Sequence, residues 1–260
     1  MPLSFALLIR LFRLLPGWPR ARLLSHDDRL FVTASLLGTA GFLRGGEFLT
    51  SAKSSRPVLK GKHISTRIIG GRLTVVVSVA VPKARWWVLS QDVFCVSPVF
   101  SFDDVESLSA ATWWSWYKRL APFPLEDEGA AFVRLNGTVL SRSWMVERTE
   151  GLLNAAGVIR VDSSGRPLVV MASSWRAGGV ASARQAGVSD ATIKTMGRWS
   201  SAAWLRYSVP SLTDIPTASD LMWKVAVEAS RRDWVGDVNL DVDVSRIDSA
   251  VRERGGFRRG

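Results

Sequence analysis

One segment of the chain combines arginine, tyrosine and tryptophan at positions that a buried helical hairpin alone does not explain. It reads SSWRAGGVASARQAGVSDATIKTMGRWSSAAWLRYSVP over residues 173–210, with Arg176 near its start and Tyr207 near its end. A phenolic oxygen can act as a nucleophile. A guanidinium stays charged and offers a planar fork of donors that matches a phosphate. Because the chain has two tyrosines, a tyrosine at the end of this segment is a specific signal.

Two short helices are predicted between these two residues. The first runs from about 177 to 186 and ends at Gly187. The second begins after Ser189, whose hydroxyl can cap a helix, and ends at Gly197. We therefore expect a helical pair to separate Arg176 from a Gly-Arg-Trp sequence at 197–199.

A second candidate cation lies at the end of an earlier helix. Ser25 and Asp28 form a capping-box-like start, and an apolar run from Leu30 to Leu43 has the length of a buried helix. The following sequence is FLRGGEF, and the pattern predicts that Gly45 and Gly46 end the helix just after Arg44.

A small antiparallel sheet is predicted next. The sequence ISTRIIGGRLTVVVSVAV, from residue 64, reads as two strands around a Gly-Gly turn, and RWWVLS reads as a return strand. One face of the second strand is predicted to carry Leu73, Val75, Val77 and Val79. Between the second and third strands lies a turn with Pro82, Lys83 and Ala84.

Further helices are predicted over residues 102–120, 141–156 and 218–232, and a first helix near the N-terminus. The apolar stripe of that first helix contains Leu7, Leu8, Phe12 and Leu15. Its basic, acid-free composition is also compatible with a targeting segment. The predicted fold class is α+β, mainly α, with helices around a small antiparallel β-sheet.

The order of these motifs resembles the catalytic domain of tyrosine recombinases, the phage-integrase-like family. That family has His-x-x-Arg, a helical pair, Gly-His or Gly-Trp, and a nucleophilic Tyr; here the corresponding sequences are SSWR, GRW and LRY. FLRGGEF resembles its first Arg-x-x-Glu. The sequence GRWSSAAWLRY is most similar to the versions in eukaryotic mobile elements.

The resemblance implies a DNA breaking-and-rejoining fold and a set of catalytic residues. The implied set is Arg44, Lys83, Ser173, Arg176, Trp199 and Tyr207. Tyr207 would attack a DNA phosphodiester and form a 3′-phosphotyrosine link, while two guanidiniums meet the charge on the non-bridging oxygens. A lysine in a hairpin turn would give a proton to the leaving 5′ oxygen. No metal or other cofactor is implied.

Three of these residue assignments either depart from the family pattern or have a rival in the sequence. Ser173 stands where the family has histidine, and a hydroxyl is a poor general acid near neutral pH. Lys60 and Lys62 compete with Lys83 for the lysine role. A gap-free count back from Tyr207 places Arg198, rather than Trp199, at the family's His or Trp position.

Two of the arginines also have ordinary structural interpretations. Arg44 could be a charge that favours the C-terminus of its helix, and Arg176 could be an ion-pair partner for Glu47. The family's helical core-binding domain is not expected within these 260 residues.

The composition fits an anionic partner. The 34 Lys and Arg exceed the 23 Asp and Glu, which gives a net charge of +11. Such a surplus favours nucleic acid or an acidic membrane surface. The single cysteine excludes a disulfide framework within the chain and fits a reducing compartment. With two histidines, a zinc site built from Cys and His is not expected.

These observations predict a recombinase-like catalytic domain over residues 1–217 and a C-terminal helix and tail over 218–260. The expected partner is double-stranded DNA, with homo-oligomerisation on DNA through the C-terminal segment, and a nuclear or other intracellular location. DNA integration by a mobile element is the implied setting. One alternative is a catalytically inactive, recombinase-derived DNA-binding protein. Another is a basic protein that binds a membrane surface through residues 1–15, although no transmembrane span is predicted.

Overall fold

The computed structural model describes residues 1–51, 59–69, 72–80, 90–96, 109–161 and 165–199, together with Met222. Within these ranges the protein is mainly helical with one small antiparallel sheet, as the sequence predicted. The helices are α1 (Phe5–Phe12), α2 (His26–Ala40), α3 (Gly45–Phe48), α4 (Ala110–Arg119), α5 (Arg142–Ala155), α6 (Ser174–Gln185) and α7 (Asp190–Met196). The strands are β1 (Ile64–Ile69), β2 (Arg72–Ala80) and β3 (Ser90–Val96), and a 3₁₀ turn at Gly61–His63 precedes β1.

Helix α2 is the centre of the core. It packs against α4 on one side and α6 on the other. All but two of its residues are buried, because neighbouring elements cover it on several sides. Trp113 of α4 and Trp175 of α6 are completely buried, and the Trp175 indole donates to the Ser35 hydroxyl at 3.2 Å. The polar end of a buried indole is stabilised by a hydrogen-bond partner, and Ser35 supplies one for Trp175.

The predicted N-terminal helix is present as α1. Leu7, Leu8, Phe12 and Leu15 are all buried, as the apolar stripe indicated. The main chain just before α1 is joined to α6, because the Leu3 amide donates to the Ser174 carbonyl at 3.0 Å. This bond fixes the start of α6, where one of the candidate site residues lies.

The sheet has the order β1-β2-β3, with both pairs antiparallel. Val75, Val77 and Val79 of β2 are buried, but Leu73 is exposed, in contrast to the predicted one-faced stripe. Thr74 and Val76 are also buried, so the middle of β2 is covered on both faces. The third strand begins at Ser90, the last residue of the predicted RWWVLS strand, while the rest of that sequence lies outside the described residues.

The predicted end of α2 was wrong by several residues. The helix ends at Ala40 rather than just after Arg44, because Phe42 adopts the left-handed conformation with φ +46°. The Leu43 amide donates to the Gly38 carbonyl, and the Phe42 amide donates to the Thr39 carbonyl. This pair of bonds is the Schellman arrangement that closes a helix, here with phenylalanine at a position where glycine is usual.

The remaining helix predictions agree with the described elements. The Ser25 and Ser189 hydroxyls cap α2 and α7, accepting from Asp28 and Thr192 amides at 3.1 and 3.2 Å. Helix α4 occupies the described part of the range predicted as 102–120, and α5 that predicted as 141–156. The predicted helix over 218–232 and the domain boundary at 217 lie outside the described residues, apart from Met222.

Tyr117, the tyrosine of α4, is a buried structural residue. Its hydroxyl donates to the Val133 carbonyl at 3.0 Å and accepts from the Val133 amide at 2.9 Å. Burial raises the pKa of the Tyr117 phenol to about 12, because the phenolate would lose its hydration. Tyr117 therefore holds the 133 segment against α4 as a neutral hydrogen-bonding group.

Candidate phosphate-binding site

Arg44 begins the short helix α3 and reaches solvent. Its main-chain amide donates to the Glu47 carboxylate at 2.7 Å, and its guanidinium lies 3.2 Å from the other carboxylate oxygen. The Arg44 side chain is 44% exposed, whereas the Glu47 side chain is 9% exposed. Arg44 is thus not the C-terminal charge of α2, because it starts the next helix and projects from it.

A close backbone contact places Arg44 beside the start of α6. A Cβ atom added to Gly45 would lie 2.4 Å from the Ala172 Cβ, a distance that real side chains do not allow. Ala172 immediately precedes Ser173 and α6. Because residue 45 is glycine, the segment carrying Arg44 can approach the segment carrying Arg176.

Arg176 lies in the first turn of α6 and is 9% exposed. Its Nη2 atom donates to the Gly197 carbonyl, and its buried Nη1 atom has no hydrogen-bond partner among the described residues. Burial, together with the nearby charges of Arg44 and Arg198, lowers the pKa of Arg176 to about 10, although Glu47 acts to raise it. The guanidinium is charged at neutral pH, and two other cations lie close enough to repel it.

Trp199 covers the guanidinium of Arg176. The Arg176 Cζ atom lies 4.5 Å from the centroid of the indole, a cation–π contact, and Trp199 is 41% exposed. The indole folds back over Gly197, where an added Cβ would lie 2.0 Å from the ring. Glycine at 197 therefore permits both the ring position and the carbonyl contact to Arg176.

Arg198 turns inward and joins the ends of α2, α3 and α7. It ends α7 in a second Schellman arrangement with φ +55°, since its amide donates to Thr195 and the Trp199 amide donates to Lys194. Its guanidinium donates to the carbonyls of Gly41 and Phe42 at 3.2 and 3.3 Å. A third contact, at 2.7 Å, is an ion pair with Glu47, and the Arg198 side chain is 5% exposed.

Ser173 lies directly before α6 with an exposed side chain. Its carbonyl accepts from the Ala177 amide at 2.9 Å, but its hydroxyl makes no capping hydrogen bond to the helix. It precedes Arg176 by one helical turn. The hydroxyl at the family's histidine position is therefore not used by the helix.

Four of the six predicted site residues fall within the described part of the chain, and they gather at one place. Arg44 and Arg176 are electrostatically coupled, Trp199 lies on Arg176, and Ser173 begins the same helix. Lys83 and Tyr207 lie outside the described residues. The rival lysines, Lys60 and Lys62, both form ion pairs with the exposed Glu128 at 3.1 and 2.7 Å.

The sequence interpretation did not include Arg198 and Glu47 in the site. The gap-free count from Tyr207 had singled out Arg198, but residue type favoured Trp199. The suggested ion pair between Arg176 and Glu47 is absent among the described residues, because Arg44 and Arg198 pair with that carboxylate. Arg176 is left with a carbonyl and an aromatic ring.

The arrangement has the charge of an anion site. Three guanidiniums and one carboxylate leave a net charge of +2 (+3 − 1) around Arg176, and this charge is held by fixed hydrogen bonds. Fixed, partly buried cations bind a phosphate more strongly than exposed ones, because little reorganisation or screening intervenes.

No cluster of His, Cys, Asp and Glu suited to a metal ion occurs in the described ranges. Of the helices described, none has the length and apolar content needed to cross a membrane.

The chain is similar to several solved structures. The chain is similar to a structure described as XerH site-specific recombinase bound to difH substrate in a pre-cleavage complex, with 13% identity and a TM-score of 0.46. The similarity covers 84% of this chain and 53% of that one, so this chain spans about half its length. No family model and no curated protein matches the sequence.

Proposed function

We propose that the chain is a tyrosine-recombinase-like domain that binds duplex DNA, then cuts and rejoins it through a phosphotyrosine link at Tyr207. The observation that carries this proposal is the buried guanidinium of Arg176. Its Nη1 atom has no partner within the described ranges, and a second guanidinium, that of Arg44, is close by. Such an arrangement is unfavourable in the empty protein, because like charges repel and a buried donor lacks an acceptor. A phosphate between the two guanidiniums relieves both penalties.

The roles follow from the chemistry of a phosphodiester. Arg44 and Arg176 donate to the non-bridging oxygens, where charge builds as the phosphorus becomes pentavalent. The Tyr207 hydroxyl gives up its proton to solvent as its oxygen forms a bond to phosphorus, and the bond from phosphorus to the 5′ oxygen breaks. The leaving 5′ oxygen takes a proton, for which Lys83 is the proposed donor. Attack by a 5′-hydroxyl on the phosphotyrosine reverses these steps, so no external energy source is needed.

Trp199 and Ser173 have supporting roles in this scheme. Trp199 keeps the guanidinium of Arg176 oriented by covering its face. The unused hydroxyl of Ser173 can donate to the phosphate, although it cannot shuttle a proton near pH 7 as an imidazole does. Both residues hold the phosphate rather than transfer protons.

The setting of this activity is also part of the proposal. Double-stranded DNA is the partner, and copies of the chain assemble on it through the 218–260 segment. The location is the nucleus or another reducing compartment, and integration of a mobile element is the process that such chemistry serves.

The test is covalent trapping on a nicked duplex that releases a short 5′-hydroxyl fragment after cleavage. With that fragment lost, religation stops and a protein–DNA adduct accumulates. We expect an adduct from the unaltered chain and none from Tyr207→Phe, while Tyr117→Phe serves as the control for the other tyrosine. An adduct that persists in Tyr207→Phe would contradict the assignment of the nucleophile.

A second candidate is a protein that binds DNA without cutting it. The observation that favours it is Ser173, since the position of the family's general acid or base carries an exposed hydroxyl. In that case the chain binds duplex DNA, Arg176→Met weakens the binding, and no adduct forms under any condition.

A further inference from the structure

We infer that Arg198 is a positioning residue that controls the Glu47 carboxylate and thereby keeps Arg44 and Arg176 available for one phosphate. The inference rests on the proposed function of the site. It differs from the direct role that the count from Tyr207 suggests for position 198, in which the side chain would contact phosphate itself.

The first ground is where the Arg198 side chain goes. Its guanidinium is 5% exposed and is occupied by the Gly41 carbonyl, the Phe42 carbonyl and the Glu47 carboxylate. Because this guanidinium is almost fully shielded from solvent and donates to three protein acceptors, a phosphate has little access to it. Among the described residues, Arg176 donates to one acceptor, the Gly197 carbonyl, and its buried Nη1 atom has no partner.

The second ground is the backbone at Arg198. A φ of +55° is unusual for a residue with a side chain, and it costs about 1–2 kcal/mol relative to glycine. Glycine is the usual residue at this position of a Schellman helix end. An arginine is held there because its side chain binds the end of α2, where a cation also meets the negative end of the helix dipole.

The third ground is the position of Glu47 between the cations. One carboxylate oxygen accepts from the Arg44 amide and from Arg198, both at 2.7 Å, and the other lies 3.2 Å from the Arg44 guanidinium. Without Arg198 this buried carboxylate would have excess negative charge, and it would compete with phosphate for Arg44 and Arg176. Arg198 therefore neutralises the one group in the site that repels the ligand.

The deciding experiment is a double-mutant cycle of Arg198→Met and Glu47→Gln, read out as affinity for duplex DNA. If Arg198 acts through Glu47, Arg198→Met weakens binding by about tenfold alone but by less than about twofold when Glu47→Gln is present. Arg198→Lys keeps the charge and should restore part of the loss. Arg134→Met is the matched control, because Arg134, like Arg198, forms an ion pair with a carboxylate that is distant in sequence, that of Asp27. Asp27 is at the other end of α2, about 20 Å from Gly41.

A direct phosphate contact by Arg198 gives a different result. The loss would then be equal in both backgrounds, and the slope of log affinity against log salt would fall by about one in each. Equal losses would overturn the inference.

A second measurement keeps this inference separate from the proposed function. The Nε–H resonances of Arg44 and Arg176, identified with Arg44→Lys and Arg176→Lys, report their order in the free protein. We expect both to shift or broaden in Arg198→Met and to stay unchanged in Arg134→Met. A chain that binds no DNA would refute the proposed function, and unchanged resonances in Arg198→Met would refute the positioning role.

Discussion

At the scale of single residues, Arg176 and Arg198 are both buried and yet held very differently. Arg198 has the Glu47 carboxylate at 2.7 Å, whereas Arg176 has a carbonyl, an aromatic ring and two repelling cations. The lowering of the Arg176 pKa to about 10 means that its surroundings disfavour the charged form by about 3 kcal/mol. The folded protein tolerates this charge, and an anion would remove the penalty.

We therefore predict that Arg176→Met weakens DNA binding without lowering the stability of the fold. The free energy of unfolding should stay equal or rise by about 1 kcal/mol, since methionine fills the space without a buried charge. Affinity for duplex DNA should fall by at least about tenfold, because one of the two central cations is lost. Chemical denaturation and a binding titration measure the two quantities.

The control for Arg176→Met is Arg148→Met. Arg148 pairs with the mostly buried Asp28, so its loss should lower stability and leave DNA affinity nearly unchanged. A strong loss of stability in Arg176→Met, with normal affinity, would mean that Arg176 is only a structural residue.

A second prediction concerns Ser173. Its hydroxyl does not cap α6, so Ser173→His removes no hydrogen bond from the helix. A positioned imidazole typically adds about a hundred- to ten-thousandfold through proton transfer. We expect the rate of covalent adduct formation to rise by about a hundredfold or more. Adduct from the parent chain with no gain in the variant would show that another group already transfers the proton.

At the scale of elements, the site depends on how closely α6 approaches α2. A Cβ added to Gly179 of α6 would lie 2.2 Å from the Thr39 carbonyl oxygen, which belongs to the last turn of α2. No side chain fits there unless the helices separate. Since Arg176 is one turn earlier on α6, any such separation also moves its guanidinium relative to the α2 end.

We predict that Gly179→Ala lowers the free energy of unfolding by about 1–3 kcal/mol, because overpacking at a backbone contact forces the helices apart. DNA affinity should fall with it. Gly151→Ala in α5 is the matched control, since nothing lies within 4 Å of the added Cβ. That change should stabilise the chain by about 0.5–1 kcal/mol, because alanine is favoured over glycine inside a helix. Equal effects of the two substitutions would contradict the close-contact explanation.

Local signals in the sequence predicted most of the described elements and the glycines near the ends of α6 and α7, but not the end of α2. Ser25 and Ser189 predicted two helix starts, because a hydroxyl cap is a local interaction that the sequence alone specifies. Phe42 and Arg198 take the left-handed conformation after α2 and α7 although the sequence did not indicate it, since neither is the glycine that is usual there. Each is held there by tertiary contacts: Arg198 binds the Phe42 carbonyl, and the Phe42 and Trp199 rings lie 6.5 Å apart.

The same reasoning separates what could be predicted of the site from what could not. Arg44 and Arg176 were predicted from their motifs, because each has a recognisable local sequence. The Glu47–Arg198 ion pair spans 151 positions, and no local pattern reports such a contact. The position of the Trp199 ring depends in turn on the missing Cβ of Gly197, which becomes evident only in three dimensions.

At the scale of the whole molecule, the net charge of +11 sets how binding responds to salt. Cations that neutralise DNA phosphates release condensed counterions, and added salt opposes that release. If about six phosphates are neutralised, affinity should fall about a thousandfold between 50 and 200 mM salt. Titrations at several salt concentrations give the slope of log affinity against log salt concentration. Arg44→Met should reduce the size of that slope by about one. An affinity independent of salt would exclude the proposed DNA interface.

The burial of Tyr117 also allows the ionisation of the other tyrosine to be followed separately by ultraviolet absorbance. The chain has two tyrosines, and the pKa of Tyr117 is raised to about 12, whereas an ordinary phenol ionises near 10. Phenolate absorbance that appears at pH values below those at which Tyr117 ionises therefore arises from Tyr207. Tyr207→Phe abolishes this absorbance. Under the proposed function, the Arg44 and Arg176 guanidiniums would lie beside Tyr207, favour its phenolate and move the midpoint to lower pH. The midpoint of this one optical transition thus measures how strongly the Arg44 and Arg176 charges act on the proposed nucleophile.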